Sequence, residues 1–320
     1  MNARTPRADF NRRTFLGRSA TATAAVAAAT LGRRAWGNAS GGGLHLSTNA
    51  YSWQVFYRRE GQDFGASLDS GLSAVRSSDI DGYEPGVGKP EEVRALGPLL
   101  QKHGLAMRSL YVNSTLHTEA EAEKSIDQVL AIAREAKSLG TRILVTNPNP
   151  LQWGGAQNKD DRQLRFQAQA LNRLGKLLRE QGQVLAYHNH DVELRQAARE
   201  FHHMMAGTDP EAVSLCLDAH WVYRGSVNSQ VALFDIVKLY GRRISELHLR
   251  QSVNGVWSET LAPGDIDYPA LAAALGEMSV RPHMVLEVAV EEGTPKTLSP
   301  VEAHRQSAAY ARSVFAALEK

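Results

Sequence analysis

Cysteine is almost absent from this 320-residue chain, with Cys216 standing alone. One thiol closes no intramolecular disulfide, whatever the redox state of the compartment. Cys216 lies inside the apolar run Val213-Ser-Leu-Cys-Leu217. A buried, inert thiol is expected there, because a reactive thiolate needs an electropositive, partly exposed setting. Long hydrophobic runs are also missing. The stretch from Ala20 to Leu31 is short and rich in Ala and Thr, too weakly apolar to form a stable membrane span. No Gly-x-Gly-x-x-Gly follows the first strand-like run, which removes the main argument for an open dinucleotide-binding sheet. Positive charge is scarce as well once the N-terminus is set aside. Residues 1–37 hold seven of the 36 Lys and Arg and one of the 34 Asp and Glu, so the remainder carries 29 basic against 33 acidic residues, a net of −4. A chain of that balance has no basic surface with which to track a phosphate backbone, and nucleic acid is not an expected partner.

The N-terminus carries a signal of its own. Asn11-Arg-Arg-Thr-Phe-Leu16 is a twin-arginine pattern, followed by the weakly apolar run and small residues near Gly37 to Ala39. Residues 1–37 therefore read as a twin-arginine signal peptide, with the export machinery as a partner and a periplasmic or exported location for the remainder. Residues 38–320 then form one domain, with no internal linker or second domain in view.

From Gly43 onward, short apolar runs alternate with helical patterns. Strands are expected at 44–50, 82–84, 106–112, 142–146, from Val184, before Asp218, around His248 and before Glu287. Helices are expected at 67–77, 90–103, 118–140, 161–181, 195–206, 229–240, 268–278 and 300–318. Local signals support several of these: Pro90 with Glu91 and Glu92 at a helix start, Gly104 just past its end, and Thr118-Glu-Ala-Glu121 as a capping box. Asp267 in Gly264-Asp-Ile-Asp267 is expected to be an N-cap. Alternation of strands and helices predicts parallel pairing. Eight such pairs at about 30-residue spacing fit an eight-stranded parallel (β/α)₈ TIM barrel.

The residue types at the strand ends carry the chemistry. Asp218, His248 and Glu287 each close an apolar segment, and in a parallel barrel those ends form the mouth where active sites are built. One Asp, one His and one Glu suit a divalent ion such as Mn, Co, Zn or Mg. The fifth strand, Val184-Leu-Ala-Tyr-His-Asn-His-Asp-Val-Glu-Leu194, is ambiguous. His188 and His190 share one face by alternation. His190 is nearer the strand end and is preferred as the fourth ligand, with Glu193, a loop carboxylate able to fold back, as the alternative ligand. His220 lies two residues after Asp218 and is a further acid–base candidate. Trp221 and Trp257 offer apolar walls for a sugar ring. Arg250 shares the face of His248, and Glu84 ends the second strand, so both are candidate substrate-binding groups.

Taken together, Tyr-His-Asn-His-Asp-Val-Glu, Leu-Asp-Ala-His-Trp, Arg-Ile-x-x-Leu-His-Leu, Gly-Asp-Ile-Asp-Tyr and Leu-Glu resemble the sugar phosphate isomerase/epimerase family of xylose isomerase-like TIM barrels, from about Leu44 to the C-terminus. The resemblance implies a divalent metal at the mouth, held by Asp218, His248 and Glu287, and a reaction at a carbohydrate or polyol. A proton next to a carbonyl would be removed by Glu287 or Glu193, with His190 or His220 as counterpart. Isomerisation or epimerisation is the first expectation. Elimination, as in a dehydratase or 3-keto-glycoside lyase, and a non-catalytic periplasmic sugar-binding barrel are the alternatives. Two departures from the family pattern stand out. His248-Leu-Arg250-Gln251 replaces His-x-Lys-Asp, and Tyr187-His188 stands where ketose epimerases place a Glu.

Overall fold

A computed structural model of the chain describes residues 44–319. The twin-arginine pattern lies outside the described residues. Eight strands form one parallel sheet: β1 (Leu46–Asn49), β2 (Gly82–Glu84), β3 (Ser109–Tyr111), β4 (Ile143–Thr146), β5 (Val184–His188), β6 (Val213–Asp218), β7 (Ile244–Leu249) and β10 (His283–Leu286). Their order is β2-β1-β10-β7-β6-β5-β4-β3. The two ends of that order meet through parallel bridges at Gly82–Ala106 and Gly86–Tyr111, with Tyr83 N donating to Ala106 O at 2.8 Å and Val87 N to Tyr111 O at 2.9 Å. The sheet thus closes into the expected barrel. Closure needs Gly82: a Cβ there would stand 2.3 Å from Ser47 Oγ and 2.8 Å from Ala106 O.

Among the described residues, ten α-helices accompany the strands: α1 (Ala50–Arg59), α2 (Leu68–Arg76), α3 (Pro90–His103), α4 (Glu119–Ser138), α5 (Asp161–Glu180), α6 (Arg195–Gly207), α7 (Ala219–Gly225), α8 (Gln230–Tyr240), α9 (Tyr268–Glu277) and α10 (Pro300–Phe315). None of the described helices is long and apolar enough to cross a membrane. Local chemistry sets many boundaries. α3 starts at Pro90 and stops at Gly104, whose φ of 64° is left-handed. Asp160 and Gln163 form a reciprocal capping box on α5, and Asp267 caps α9 by accepting from Ala270 N. The box expected at Thr118 does not form. Its side chain makes no cap bond, and only its carbonyl joins the helix, accepting from Ala122 N.

Three elements escaped the sequence reading: α1, capped by Asn49; α7, capped by Asp218; and a two-strand hairpin of β8 (Ser252–Val253) and β9 (Val256–Trp257). Each begins at or just beyond a strand end, where strand and helix patterns overlap. The hairpin and α7 both border the mouth.

Side chains alternate between the barrel interior and the helix layer. Cys216 pairs with Glu246 and Asp218 with His248 across β6 and β7, so polar groups stack down one interior face. Leu215, Leu217, Leu247 and Leu249 face the other way and join the apolar core. Cys216 is fully buried, and burial holds its thiol well above the ordinary range, as the sequence suggested.

Candidate active site at the barrel mouth

Four barrel strands deliver one group each to a single point. His188 ends β5, Asp218 ends β6, His248 lies near the end of β7, and Glu287 directly follows β10. One ligating atom from each falls within 4.8 Å of all the others, and all four residues are buried. His248 Nδ1 is 2.8 Å from Glu287 Oε2 and 3.2 Å from His188 Nε2. Asp218 Oδ2 is 3.9 Å from His188 Nε2.

Asp218 serves two tasks with its two oxygens. Oδ1 accepts from Trp221 N at 2.8 Å and caps α7. Oδ2 is buried and accepts no hydrogen bond. A buried carboxylate oxygen without a donor is costly. A cation among the four atoms removes that cost. Two carboxylates with two imidazoles form a donor set suited to Mn, Co, Zn or Mg, so the residues present fit the metal that the sequence implies.

Arg250 is fully buried beside this group. Its Nε donates to Glu287 O at 2.9 Å, and Nη2 lies 3.2 Å from Glu287 Oε2 and 3.6 Å from Asp218 Oδ2. The guanidinium is stacked over Trp257 at 4.4 Å and Trp221 at 5.1 Å from the ring centroids. Tyr268 OH holds its backbone from the far side. Arg250 therefore faces the cluster as a fixed positive charge. Burial works against the charge on Glu287, but Arg250 and His248 overcome it and hold that carboxyl well below its usual range. Burial pushes Asp218 up to about 7, with Arg250 only partly offsetting it and Glu287 adding to it. Burial likewise keeps His188 well below the ordinary imidazole range.

The remaining expected residues distribute as follows. His190, preferred from sequence as the fifth-strand contributor, is not in the four-membered group; His188 is. His190 lies further out, its ring 4.8 Å from that of His188 and edge-to-face with Trp153 at 5.1 Å. Its backbone N–H donates to Glu193 Oε2 at 2.7 Å. Glu193 does fold back, as a pin and not as a member of the group. Its other oxygen accepts from Asn147 Nδ2 at 3.1 Å, and burial raises its carboxyl to about 7. Just beyond it, Gln196, Ala197 and Ala198 all take left-handed backbone angles before α6 becomes regular, a strained connection for residues with a Cβ.

His220 is fully buried with neither ring nitrogen hydrogen-bonded. Burial, with Arg250 and Arg224 nearby, lowers its pKa to about 2, so the ring is neutral. Trp221 and Trp257 meet edge-to-face at 5.6 Å, and with the half-exposed Trp153 they line the mouth. Glu84 lies elsewhere than expected. It is wholly buried beneath His248, with Asn49 Nδ2 at 2.6 Å and Ser109 Oγ at 2.7 Å on its two oxygens, so it does not face the substrate side. The reason is depth: β2 is only three residues long and its last residue pairs with Asn49, below the level of the mouth.

Gln251, one of the two departures from the family pattern, is accounted for by its neighbours. Its Nε2 donates to Ala262 O and Ile266 O, and its Oε1 accepts from Ser252 N and Ile266 N. An amide both donates and accepts; a carboxylate cannot donate to the two carbonyls. His188, Glu246, Asn147 and Trp153 were missed from sequence. His188 was on the right face and Glu246 is two before His248, so alternation could have flagged both; nothing local marks Asn147 or Trp153.

Comparison with known proteins agrees with this architecture. The family model described as xylose isomerase-like TIM barrel matches residues 72–314. An inosose dehydratase of Mesomycoplasma hyopneumoniae (strain 7448) is 24% identical over 278 residues, covering 78% of this chain and 89% of the relative. A sugar phosphate isomerase/epimerase from Parabacteroides distasonis superposes with a TM-score of 0.67 at 17% identity, covering 88% of this chain and 98% of the other. The 3-keto-D-glucoside 4-epimerase of E. coli gives 0.63 at 14% identity, covering 84% and 99%.

Proposed function

Because the chain belongs to the xylose isomerase-like TIM barrel family, we propose that it is a divalent-metal-dependent enzyme that removes a proton next to a carbonyl of a carbohydrate or polyol. The observation that carries this reading is the convergence of His188, Asp218, His248 and Glu287, with Asp218 Oδ2 buried and unpartnered. A divalent ion, when bound there, supplies Lewis acidity that makes the C–H beside a carbonyl easier to ionise. The chain's own groups do the rest. Glu287 is the carboxylate that stays ionised and takes the proton. His220 and His190, both kept neutral by burial, offer a ring N–H or lone pair to substrate hydroxyls. Arg250 holds positive charge toward the developing oxyanion. Trp153 and Trp221 offer apolar faces for the C–H side of a sugar ring, while Trp257 is covered by Arg250 and Arg224.

The substrate class follows from charge. Arg250 is balanced by Glu287 and Asp218, and Arg224 by a bidentate contact with Glu291 at 2.8–2.9 Å. Two paired arginines at the mouth favour a neutral sugar over a sugar phosphate. The twin-arginine pattern at Arg12-Arg13 supports the same choice, because an enzyme exported by that route would meet unphosphorylated sugars.

Two outcomes follow the common proton abstraction. Return of the proton gives isomerisation or epimerisation; loss of a β-hydroxyl gives dehydration. The relative named inosose dehydratase favours the second, the structural neighbours named epimerases the first. The test is incubation of metal-loaded enzyme in D₂O with 3-keto-glucosides, ketoses and inosose. Deuterium entering recovered substrate or epimer supports reprotonation, and a dehydrated dicarbonyl product supports elimination. Absence of both across the panel, with metal bound, counts against proton abstraction.

A further inference from the structure

The polar column continues beneath the mouth. His248 has one nitrogen in each of two layers. Nδ1 faces the four-membered group above. Nε2 faces down, 3.2 Å from Glu84 Oε1 and 3.2 Å from Glu246 Oε1. Both carboxylates are wholly buried, out of reach of any substrate.

Glu84 is held from two neighbouring strands. Asn49 at the end of β1 donates to Oε1 and Ser109 on β3 to Oε2, while Asn49 is itself fixed as the cap of α1 by Tyr51 N at 2.7 Å. Glu246 is on β7, two residues before His248, and its Oε1 also takes the Cys216 thiol at 3.5 Å. Its Oε2 is buried with no partner.

A neutral imidazole has one N–H and one lone pair. A lone pair on Nε2 would point at two carboxylate oxygens, a repulsive arrangement. An N–H there serves both, and Nδ1, 2.8 Å from the Glu287 carboxylate, then presents its lone pair to a cation seated in the group above. We infer that Glu84 and Glu246 are positioning residues, which keep the proton on His248 Nε2 so that Nδ1 is the atom offered to a metal. This rests on the reading of the upper group as a metal centre. It gives the buried Glu84 a role through His248 in place of the substrate contact expected from sequence, and assigns a role to Glu246, which no motif marked.

The test uses the purified full chain, its Glu84→Gln and Glu246→Gln variants, calorimetric titration with Mn²⁺, and ¹⁵N-histidine NMR of the Zn²⁺-loaded protein. Loss of a partner that orients a metal-binding histidine weakens metal affinity about 10–100-fold, and each variant is expected to raise Kd within that range. In the wild type, NMR is expected to show the His248 proton on Nε2, protected from exchange, with faster exchange in both variants. A structural role alone would shift the melting temperature and leave that resonance unchanged. If Glu84→Gln fails to fold, Glu246→Gln carries the test, since it disturbs fewer contacts. Mn²⁺ binding in wild type with variant Kd values within threefold overturns the positioning role alone. Absence of wild-type binding overturns the metal-centre reading and this inference with it. A second equivalent of Mn²⁺ abolished by Glu84→Gln also overturns it, by placing a metal between Glu84, Glu246 and Nε2.

Discussion

Replacing Asp218 by Asn separates the two oxygens of one side chain. Oδ1 caps α7 through Trp221 N, and an Asn in the same rotamer keeps that bond, because Asn and Asp cap about equally well. Oδ2 has no protein donor and becomes an NH₂ group that binds no cation. The charge effect on the metal-free fold has a traceable sign. At 3.6 Å from Arg250 Nη2, the gross attraction is about 4–5 kcal/mol at an effective dielectric of about 20. Desolvation of the buried carboxylate and repulsion from Glu287 oppose it, and the carboxyl held up to about 7 means that they win by about 4 kcal/mol. Asp218→Asn is therefore expected to stabilise the metal-free fold near neutral pH, by up to about 4 kcal/mol. Asp218→Ala loses the cap as well and is expected to lie about 1 kcal/mol below Asp218→Asn.

Metal affinity should respond in the opposite sense. Removing even an indirect partner of a metal ligand costs up to about 100-fold, so losing an anionic ligand is expected to cost at least that, about 2.7 kcal/mol or more. The sign with pH is also fixed. Asp218 must shed its proton to bind, so wild-type affinity falls as pH drops below about 7, and this component disappears in Asp218→Asn. Calorimetric Mn²⁺ titration between pH 6 and 8 (about one unit either side of that value), beside urea melts of the metal-free proteins, reads both quantities. A variant that binds Mn²⁺ within threefold of wild type, or that loses several kcal/mol without metal, refutes the assignment of Oδ2.

Glu287→Gln is expected to cut kcat by at least about 10²-fold with saturating Mn²⁺, the lower end for loss of a general base, on whichever substrate the screen finds. Activity within threefold removes Glu287 from the mechanism. Gln251→Asp, the family-like residue, should destabilise by about 2 kcal/mol or more, since a carboxylate cannot donate to Ala262 O and Ile266 O; an unchanged melt contradicts this. His304 is buried against Trp53 at 4.1 Å, and burial lowers its pKa to about 4. The unfolded chain takes up that proton near the usual 6.5, so its share of stability, about 3 kcal/mol, is complete above that pH and lost as pH falls toward 4. His304→Phe should flatten the acid limb of a stability–pH curve by one proton, and an unchanged slope counts against it. Intact-mass measurement of exported protein should show residues 1–37 removed, with export blocked by Arg12→Lys/Arg13→Lys.

The strands and helices of the barrel were legible in the sequence because their signals are local: apolar runs of strand length, Pro90 and Gly104 bracketing one helix, Asp267 capping another. Asp218, His248 and Glu287 were legible for the same reason, each closing an apolar run. Alternation with period two decides which face of a strand a side chain takes. It does not decide how far along the barrel axis that side chain comes to rest. His188 and His190 share a face, yet β5 ends at His188, opposite Cys216, and Glu193 draws the backbone of His190 outward into the loop. Glu84 and Glu246 sit one layer below the mouth because β2 registers on Asn49 and Glu246 on Cys216. Gln251 became structural because the 262–266 segment returns against it. Depth is set by pairing between strands far apart in the chain, an interaction no short stretch of sequence contains. The sequence therefore determined which residues could enter the site, and the inter-strand register decided which of them meet.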